Sequence, residues 1–205
     1  MLYNSVRWLI FFCIIGLIAL LLNKTPVKKY RKIYFAIIIV SSVVCFSQWN
    51  IPFENYIVSF PTLEKSFKYC LTENNIEIFG IFEEEKTGLV LYESENGYAN
   101  YITRKDEDGW KISNINTNEI ECVKTVDKHT IFVYHIKNTS ERYVLISSDF
   151  TDKVAEITDS KGNVFRYVED KDDFSKHITY FNHYGDNNFD FTVFIDGKKI
   201  DLEKT

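Results

Sequence analysis

Two long apolar runs near the N-terminus constrain this chain more than any other feature. Residues 8–22 contain no charged side chain, and residues 33–49 form a second uncharged run. As α-helices these runs would extend roughly 22 and 25 Å, close to the ~30 Å hydrocarbon core of a bilayer. Together with the uncharged residues that flank the first run, they predict two transmembrane helices, at about 6–23 and 33–49, joined as a tight hairpin.

Three other interpretations of these runs stay open on the sequence alone. The first run could be a buried helix of a soluble domain, although such a helix usually keeps a polar stripe and this run is apolar on all sides. It could be a cleaved signal peptide with Arg7 in its charged start, although no small-x-small cleavage motif follows. The third possibility is that one run spans the bilayer and the other does not. The hairpin is the simplest interpretation, because ten residues separate the runs.

The segment between the runs, "NKTPVKKYRK", determines the predicted orientation. This segment carries five basic side chains and no acidic one. Before the first run, the positive charges are only those of Arg7 and the amino terminus. Short loops rich in Lys and Arg stay on the cytoplasmic side during insertion. We therefore predict a multi-pass protein of the cell membrane, with a cytoplasmic loop at 24–32, both termini extracytoplasmic and residues 6–49 in contact with lipid. The residues that determine this topology are Lys24, Lys28, Lys29, Arg31 and Lys32.

The charge of the remaining chain excludes one class of partner. From residue 50 onward the chain has 29 acidic and 18 basic residues, a net charge of −11, whereas the first 49 residues carry +6. Nucleic-acid binding requires a basic face that replaces counterions, so we expect no nucleic-acid partner. The same negative charge disfavours adsorption of this part onto an anionic lipid surface.

The part after the membrane runs reads as one short helix followed by strands. We predict a short helix and a β-meander over 50–118, and an antiparallel β-sandwich-like module over 119–205. The stretch "FPTLEKSFKYC" predicts the helix, with Ser59 as its N-cap. Leu63 and Phe67 lie on one helical face and are expected in the core.

Alternation of apolar and polar residues between turn residues predicts the strands. Examples are "IEIFGIF", "TGLVLYE" and "GYANYITR" in the first part and "TIFVYHIKN" in the second. Seven short strands in the second part predict an antiparallel sandwich. Phe132 and Phe194 are expected in its core, where replacement by Ala would cost about 3–5 kcal/mol.

Two segments resemble known proteins. "FPTLEKSFKYC" followed by "GLVLYESENGYANYITRKDEDGWKI" resembles a pattern in uncharacterised small membrane-anchored envelope proteins of low-GC Gram-positive bacteria. "AEITDSKGNVF" and "FTVFIDGKKIDL" are similar to the closing strands of bacterial immunoglobulin-like modules. The resemblance implies an envelope location and a β-rich, partly immunoglobulin-like extracytoplasmic domain, and it implies no catalytic residue.

The usual signatures of enzymes and cofactor sites are missing from the sequence. It contains no glycine-rich phosphate loop, no serine elbow, no HExxH and no CxxC. We therefore predict no enzymatic activity, no catalytic residues and no cofactor.

No metal site is predicted either. His129 and His135, like His177 and His183, are six residues apart, which in a strand is about 20 Å, too far for one zinc ion. These histidines are expected to be at the surface or half-buried. "YGDNNFD" begins like a calcium loop at Asp186 but lacks the later ligands.

The cysteines leave one alternative open. Cys13 and Cys45 lie in the apolar runs and are expected to pack as apolar side chains. Cys70 and Cys122 lie in the outer part, where a disulfide between them would contribute roughly 4 kcal/mol. Alternatively, Cys70 faces the core from its helix as a small apolar residue.

Two classes of function fit these features. The first is a membrane-tethered extracytoplasmic β domain that acts as an interaction module for another envelope protein or a cell-wall component. The second is an accessory or regulatory subunit of a membrane complex that binds through its transmembrane hairpin. Small residues such as Gly16, Ala36 and Ser41 would permit close helix contacts in that case.

Overall fold

The structure, a computed structural model, covers most of the outer part of the chain and portions of the two apolar runs. It describes residues 8–9, 11–18, 20, 33, 35–43, 53–56, 58–71, 75–113, 117–148, 154–169, 177–185 and 188–204. The described residues of both apolar runs are helical. Within the described residues, no helix is both long and apolar enough to cross a membrane.

The predicted cytoplasmic loop lies outside the described residues. This holds for the whole segment 24–32 and for the five basic residues that were expected to determine the topology, Lys24, Lys28, Lys29, Arg31 and Lys32. The transmembrane hairpin and its orientation therefore stay predictions.

The short helix of the outer part, α1, spans Leu63–Cys70. Its N-cap is Thr62, whose hydroxyl accepts a hydrogen bond from the Lys65 amide at 3.2 Å. The prediction of Ser59 as the N-cap was wrong. Phe60 forms an isolated β-bridge, so the chain is still extended at this point and the helix cannot begin before it.

In the described part of the chain, twelve β-strands follow the helix, and every pairing between them is antiparallel. The predicted mainly-β fold with antiparallel sheets is therefore confirmed. A short 3-10 helix, Phe53–Tyr56, precedes α1. The strands are β1 Glu77–Glu83, β2 Thr87–Ser94, β3 Gly97–Asp106, β4 Gly109–Trp110, β5 Asn118–Val126, β6 His129–Ile136, β7 Arg142–Ser148, β8 Ile157–Asp159, β9 Arg166–Glu169, β10 Ile178–Tyr184, β11 Thr192–Ile195 and β12 Lys198–Asp201.

The strands form three sheets. The front sheet has the order β1-β2-β3-β4, the middle sheet β5-β6-β7-β10-β9 and the back sheet β12-β11-β8. Most neighbouring strands are connected as hairpins, but β10 pairs with β7 as well as with β9. The chain passes from the front sheet to the middle sheet between β4 and β5.

Helix and sheets stack as four layers. Leu63 and Phe67 of α1 are buried against Val90, Tyr101 and Trp110 on the outer face of the front sheet, as predicted for the two helix residues.

The middle sheet is covered on both faces. A core cluster between the front and middle sheets contains Leu89 and Phe181, and a larger cluster between the middle and back sheets contains Val144 and Val193. Coverage on both faces explains why β7 is buried along nearly its whole length.

Cys70 and Cys122 lie in different core clusters. Cys70 packs at the cluster under α1, where its Sγ is 3.6 Å from the Tyr101 hydroxyl, and Cys122 belongs to the cluster between the middle and back sheets. Both residues are described, and no disulfide joins them. In the structure, Cys70 therefore packs as a small apolar residue and does not form a disulfide with Cys122.

Candidate binding cleft

The front and middle sheets enclose a cleft. The sheets touch where the rings of Phe82 and Phe181 approach to a centroid distance of 4.2 Å. Elsewhere between them is a cavity of about 900 Å³, lined mainly by β3, β6 and the start of β10. This volume is at the upper end of the range of about 300–1,000 Å³ that is typical of small-ligand sites.

A row of hydroxyl groups crosses the middle sheet in this cleft. Thr130 of β6 is paired with Ser147 of β7, and Ser147 is paired with Thr179 of β10. Residues in register have side chains on the same face, so all three hydroxyls point into the cleft. The Nε2 atom of His177 lies 3.1 Å from the Thr179 hydroxyl and 3.4 Å from that of Ser147.

Aromatic rings line the cleft from both sheets. Phe132 and Tyr134 follow Thr130 at alternate positions of β6, and their rings are nearly parallel, with 22° between the planes and 6.0 Å between the centroids. From the front sheet, Tyr98 stacks on His177 at 3.8 Å with 6° between the rings. This ring pair bridges the two sheets.

Two amide side chains complete the polar lining. Asn100 donates to the Tyr134 hydroxyl at 3.2 Å. Asn118 donates to the Ile102 carbonyl at 2.8 Å and to the Ser113 hydroxyl at 2.9 Å. A carbonyl only accepts, so this bond fixes which end of the Asn118 amide is the nitrogen. The Asn118 Oδ1 atom is buried and accepts no hydrogen bond within the described part of the chain.

The described lining of the cleft consists of uncharged polar, aromatic and aliphatic side chains together with His177. Among the described residues, no Asp, Glu, Lys or Arg side chain lines it. Burial raises the pKa of Tyr134, and the hydrogen bond from Asn100 only partly offsets this, so the phenol stays neutral. A charged group that entered the cleft would lose hydration without gaining a counter-charge from these described residues. The described lining therefore suits an uncharged group.

Phe132 and Phe194 are half-buried rather than fully buried, and Phe132 packs against the core cluster between the front and middle sheets. On β6 the core between the middle and back sheets takes the other set of alternate residues, Ile131 and Val133. Phe132 thus faces the front sheet and lines the cleft.

The histidines were predicted at the surface or half-buried, and this was wrong for two of them. His129 is buried beside the Ser148 hydroxyl, and burial lowers its pKa. His177 is buried in the cleft, whereas His135 and His183 are half-buried. The described residues contain no group of three His, Cys, Asp or Glu side chains that could hold a metal ion. Asp186 lies outside the described residues.

A buried ion pair lies elsewhere on the middle sheet. The Glu121 carboxylate accepts hydrogen bonds from Arg142 at 2.5 and 3.2 Å and is 2.6 Å from the Lys204 ammonium. Burial alone would raise the pKa of Glu121, but these hydrogen bonds and charges outweigh it and lower the pKa to about 2. This cluster ties the C-terminal segment to β5 and β7.

The sequence predicted neither the cleft nor the buried ion pair of Glu121 and Arg142. Alternation at 130, 132 and 134 predicts only that these residues share a face, and a charged residue within a strand is usually solvent-exposed. Whether the shared face is core or cleft depends on where a second sheet packs.

Comparison with known proteins adds no further information on function. No protein-family model matches the chain, and no curated protein and no solved structure matches it. The functional proposal therefore rests on the cleft.

Proposed function

We propose that the chain is a membrane-tethered extracytoplasmic β domain that acts as an interaction module for another envelope protein or a cell-wall component. The uncharged aromatic cleft between the front and middle sheets is the observation that carries this proposal. It combines rings, hydroxyls and amides on a rigid two-sheet frame, which is the usual composition of a ligand site.

The apolar helical residues support the tether. The described side chains at 8–20 and 33–43 include many large apolar groups with about half or more of their surface exposed, among them Leu9 at 65%, Phe12 at 62% and Phe35 at 65%. At about 100° per residue, residues 8, 9 and 17 point about 0°, 100° and 180° around an α-helix, so exposed apolar side chains cover about half of its circumference. Such a surface suits lipid or another apolar partner rather than water.

We propose a binding role for the groups around His177. Its Nε2 atom lies 3.4 Å from the Ser147 hydroxyl and 3.1 Å from that of Thr179, and the Tyr98 ring stacks on the imidazole. These contacts hold both hydroxyls in place as hydrogen-bonding groups for a ligand.

The orientation can be tested through the loop charges. Replacing Lys28, Lys29, Arg31 and Lys32 with Gln is expected to produce mixed orientations, because it removes most of the positive charge that retains the loop in the cytoplasm. The measurement is the activity, in intact cells, of a compartment-sensitive reporter fused after Thr205. As a control, replacing Lys124, Lys128, Lys198 and Lys199 in the outer part with Gln should leave the orientation unchanged. Labelling of a cysteine at position 28 by an impermeant reagent would contradict the proposed topology.

Photo-crosslinking tests the role of the cleft. Ile120 lines the cleft and is 48% exposed, whereas Val164 is 67% exposed and lies outside it. A photoreactive residue at position 120 is expected to form an adduct with an envelope component in living cells, detected as a mass shift. The same residue at position 164 serves as the matched control and should form no such adduct.

The outcomes separate the two candidate functions. Adducts only from positions 12 or 43, in the apolar runs, would favour an accessory subunit that binds through its hairpin. No adduct from position 120, or equal adducts from 120 and 164, would refute the cleft as the interaction site.

A further inference from the structure

We infer that the cleft binds a neutral sugar unit of an oligosaccharide. This inference rests on the proposed function, because it names the chemical class of ligand that the interaction module binds. It follows from the juxtaposition of nearly parallel aromatic rings, a row of hydroxyls and an uncharged polar lining.

The aromatic rings match the faces of a sugar ring. A pyranose presents C–H groups on its faces, and these pack against the flat, electron-rich face of an aromatic side chain. Phe132 and Tyr134 offer two such rings on one side of the cleft, both half-buried and only 22° from parallel. Either ring can pack against the apolar face of a sugar.

The hydroxyl row matches the rim of the same ring. The hydroxyls of Thr130, Ser147 and Thr179 can each donate one hydrogen bond and accept others, as sugar hydroxyls do. Their cross-strand register places them in a line along the floor of the cleft. The Thr130 hydroxyl shares a hydrogen bond with the Thr125 hydroxyl at 3.2 Å, and those of Ser147 and Thr179 lie 3.4 and 3.1 Å from the His177 Nε2 atom. Each hydroxyl keeps further donor or acceptor capacity, which a sugar hydroxyl can use.

The uncharged lining and the position of the cleft between two sheet faces favour a neutral sugar over charged sugars and peptides. A uronic acid, a phosphorylated sugar or an amino sugar would bring a charge into a cleft whose described lining has no Asp, Glu, Lys or Arg. A peptide usually adds as a strand along a sheet edge, through backbone hydrogen bonds. This cleft instead lies between two sheet faces, and β6 contributes the alternate residues Thr130, Phe132 and Tyr134 to its lining.

Calorimetric titration of the full-length protein tests the inference. The protein is kept in a zwitterionic detergent without a sugar headgroup, since such a headgroup would compete for the cleft. The neutral probes are tetramers of N-acetylglucosamine and of glucose, and the charged probes are tetramers of glucosamine and of galacturonic acid. We expect at least one neutral tetramer to bind, and both charged tetramers to bind at least about tenfold more weakly.

Two pairs of variants connect binding to the cleft. Tyr134→Ala should weaken binding of the neutral tetramer about tenfold, whereas Tyr167→Ala, at a 49% exposed tyrosine of β9 outside the cleft, should leave it unchanged. Thr130→Val removes a hydroxyl at nearly constant shape and should weaken binding several-fold. Its control, Thr192→Val on the back sheet, should have no effect. Because Thr130→Val is nearly isosteric, it still tests the cleft if Tyr134→Ala fails to fold.

Each outcome supports or overturns the inference. Absence of binding for both neutral tetramers, equal affinity for charged ones, or unchanged binding in both cleft variants would overturn it. If the adduct from position 120 persists in that case, the interaction module stands and only the ligand class is wrong. An adduct that is removed by protease but not by glycan hydrolase would identify the ligand as a protein. Loss of both the adduct and sugar binding would refute both proposals.

Discussion

Replacing Arg142 with Ala is expected to lower the free energy of unfolding by about 3–5 kcal/mol, because it leaves a buried carboxylate without its main partner. Glu121 is only 3% exposed and accepts two hydrogen bonds from the Arg142 guanidinium. Lys204 remains in Arg142→Ala, but its ammonium is largely solvent-exposed and supplies a single contact. Urea unfolding followed by circular dichroism measures the loss.

The same ion pair predicts a pH dependence. The pKa of Glu121 is lowered to about 2 in the folded protein, below its ordinary value of 4.5. The unfolded chain therefore binds this proton first as the pH falls, and the stabilisation is complete above pH 4.5 and lost between about pH 4.5 and 2. The linked stabilisation is about 3 kcal/mol.

Glu121→Gln isolates this contribution from the other titrating carboxyl groups. The variant should be less stable than the wild type at neutral pH, and the difference between the two proteins should shrink as the pH falls toward 2. A difference that stays constant between pH 6 and 3 would show that Glu121 keeps an ordinary pKa in the folded state.

Replacing Trp110 with Ala is expected to cost about 3–5 kcal/mol, because it empties the largest fully buried side-chain position among the described residues. Trp110 is 1% exposed and belongs to the cluster that holds α1 against the front sheet. The control is Tyr56→Ala, at an aromatic residue that is 84% exposed, which should change the stability by less than about 0.5 kcal/mol.

Gly88 supplies a second test of the same packing. A Cβ atom at this position would lie 2.7 Å from the Trp110 ring and 2.5 Å from a Leu63 methyl group. Gly88→Ala should therefore cost about 1–3 kcal/mol through overpacking. In the double variant with Trp110→Ala, the added methyl group partly fills the cavity, so the two losses should sum to more than the loss in the double variant. Strict additivity would contradict the contact between residues 88 and 110.

The strands and the short helix could be predicted because their signals are local. Alternating apolar residues between turns mark β2, β3 and β6, and each was predicted within one or two residues of its observed bounds. The helix N-cap was misplaced because a bridge to β4, fifty residues along the chain, keeps Phe60 extended. A local pattern contains no information on such a pairing.

The candidate site could not be predicted, because it is made between sheets. Thr130, Ser147 and Thr179 come from three strands and meet only through their register, and Tyr98 joins them from another sheet. The sequence showed which residues share a face of β6 but not which sheet covers that face. Phe132 was predicted in the core, and it packs at the edge of the core between the front and middle sheets while also lining the cleft.

By itself the sequence determined the mainly-β character of the outer part, its antiparallel hairpins and the burial of Leu63 and Phe67, because these follow from periodicity and turn residues over short distances. Only the tertiary structure decided that three sheets stack with one helix, that β10 lies between β7 and β9, and that Cys70 and Cys122 lie in separate clusters. Each of these depends on contacts between residues far apart in the chain, whose free energy comes from burying whole faces together.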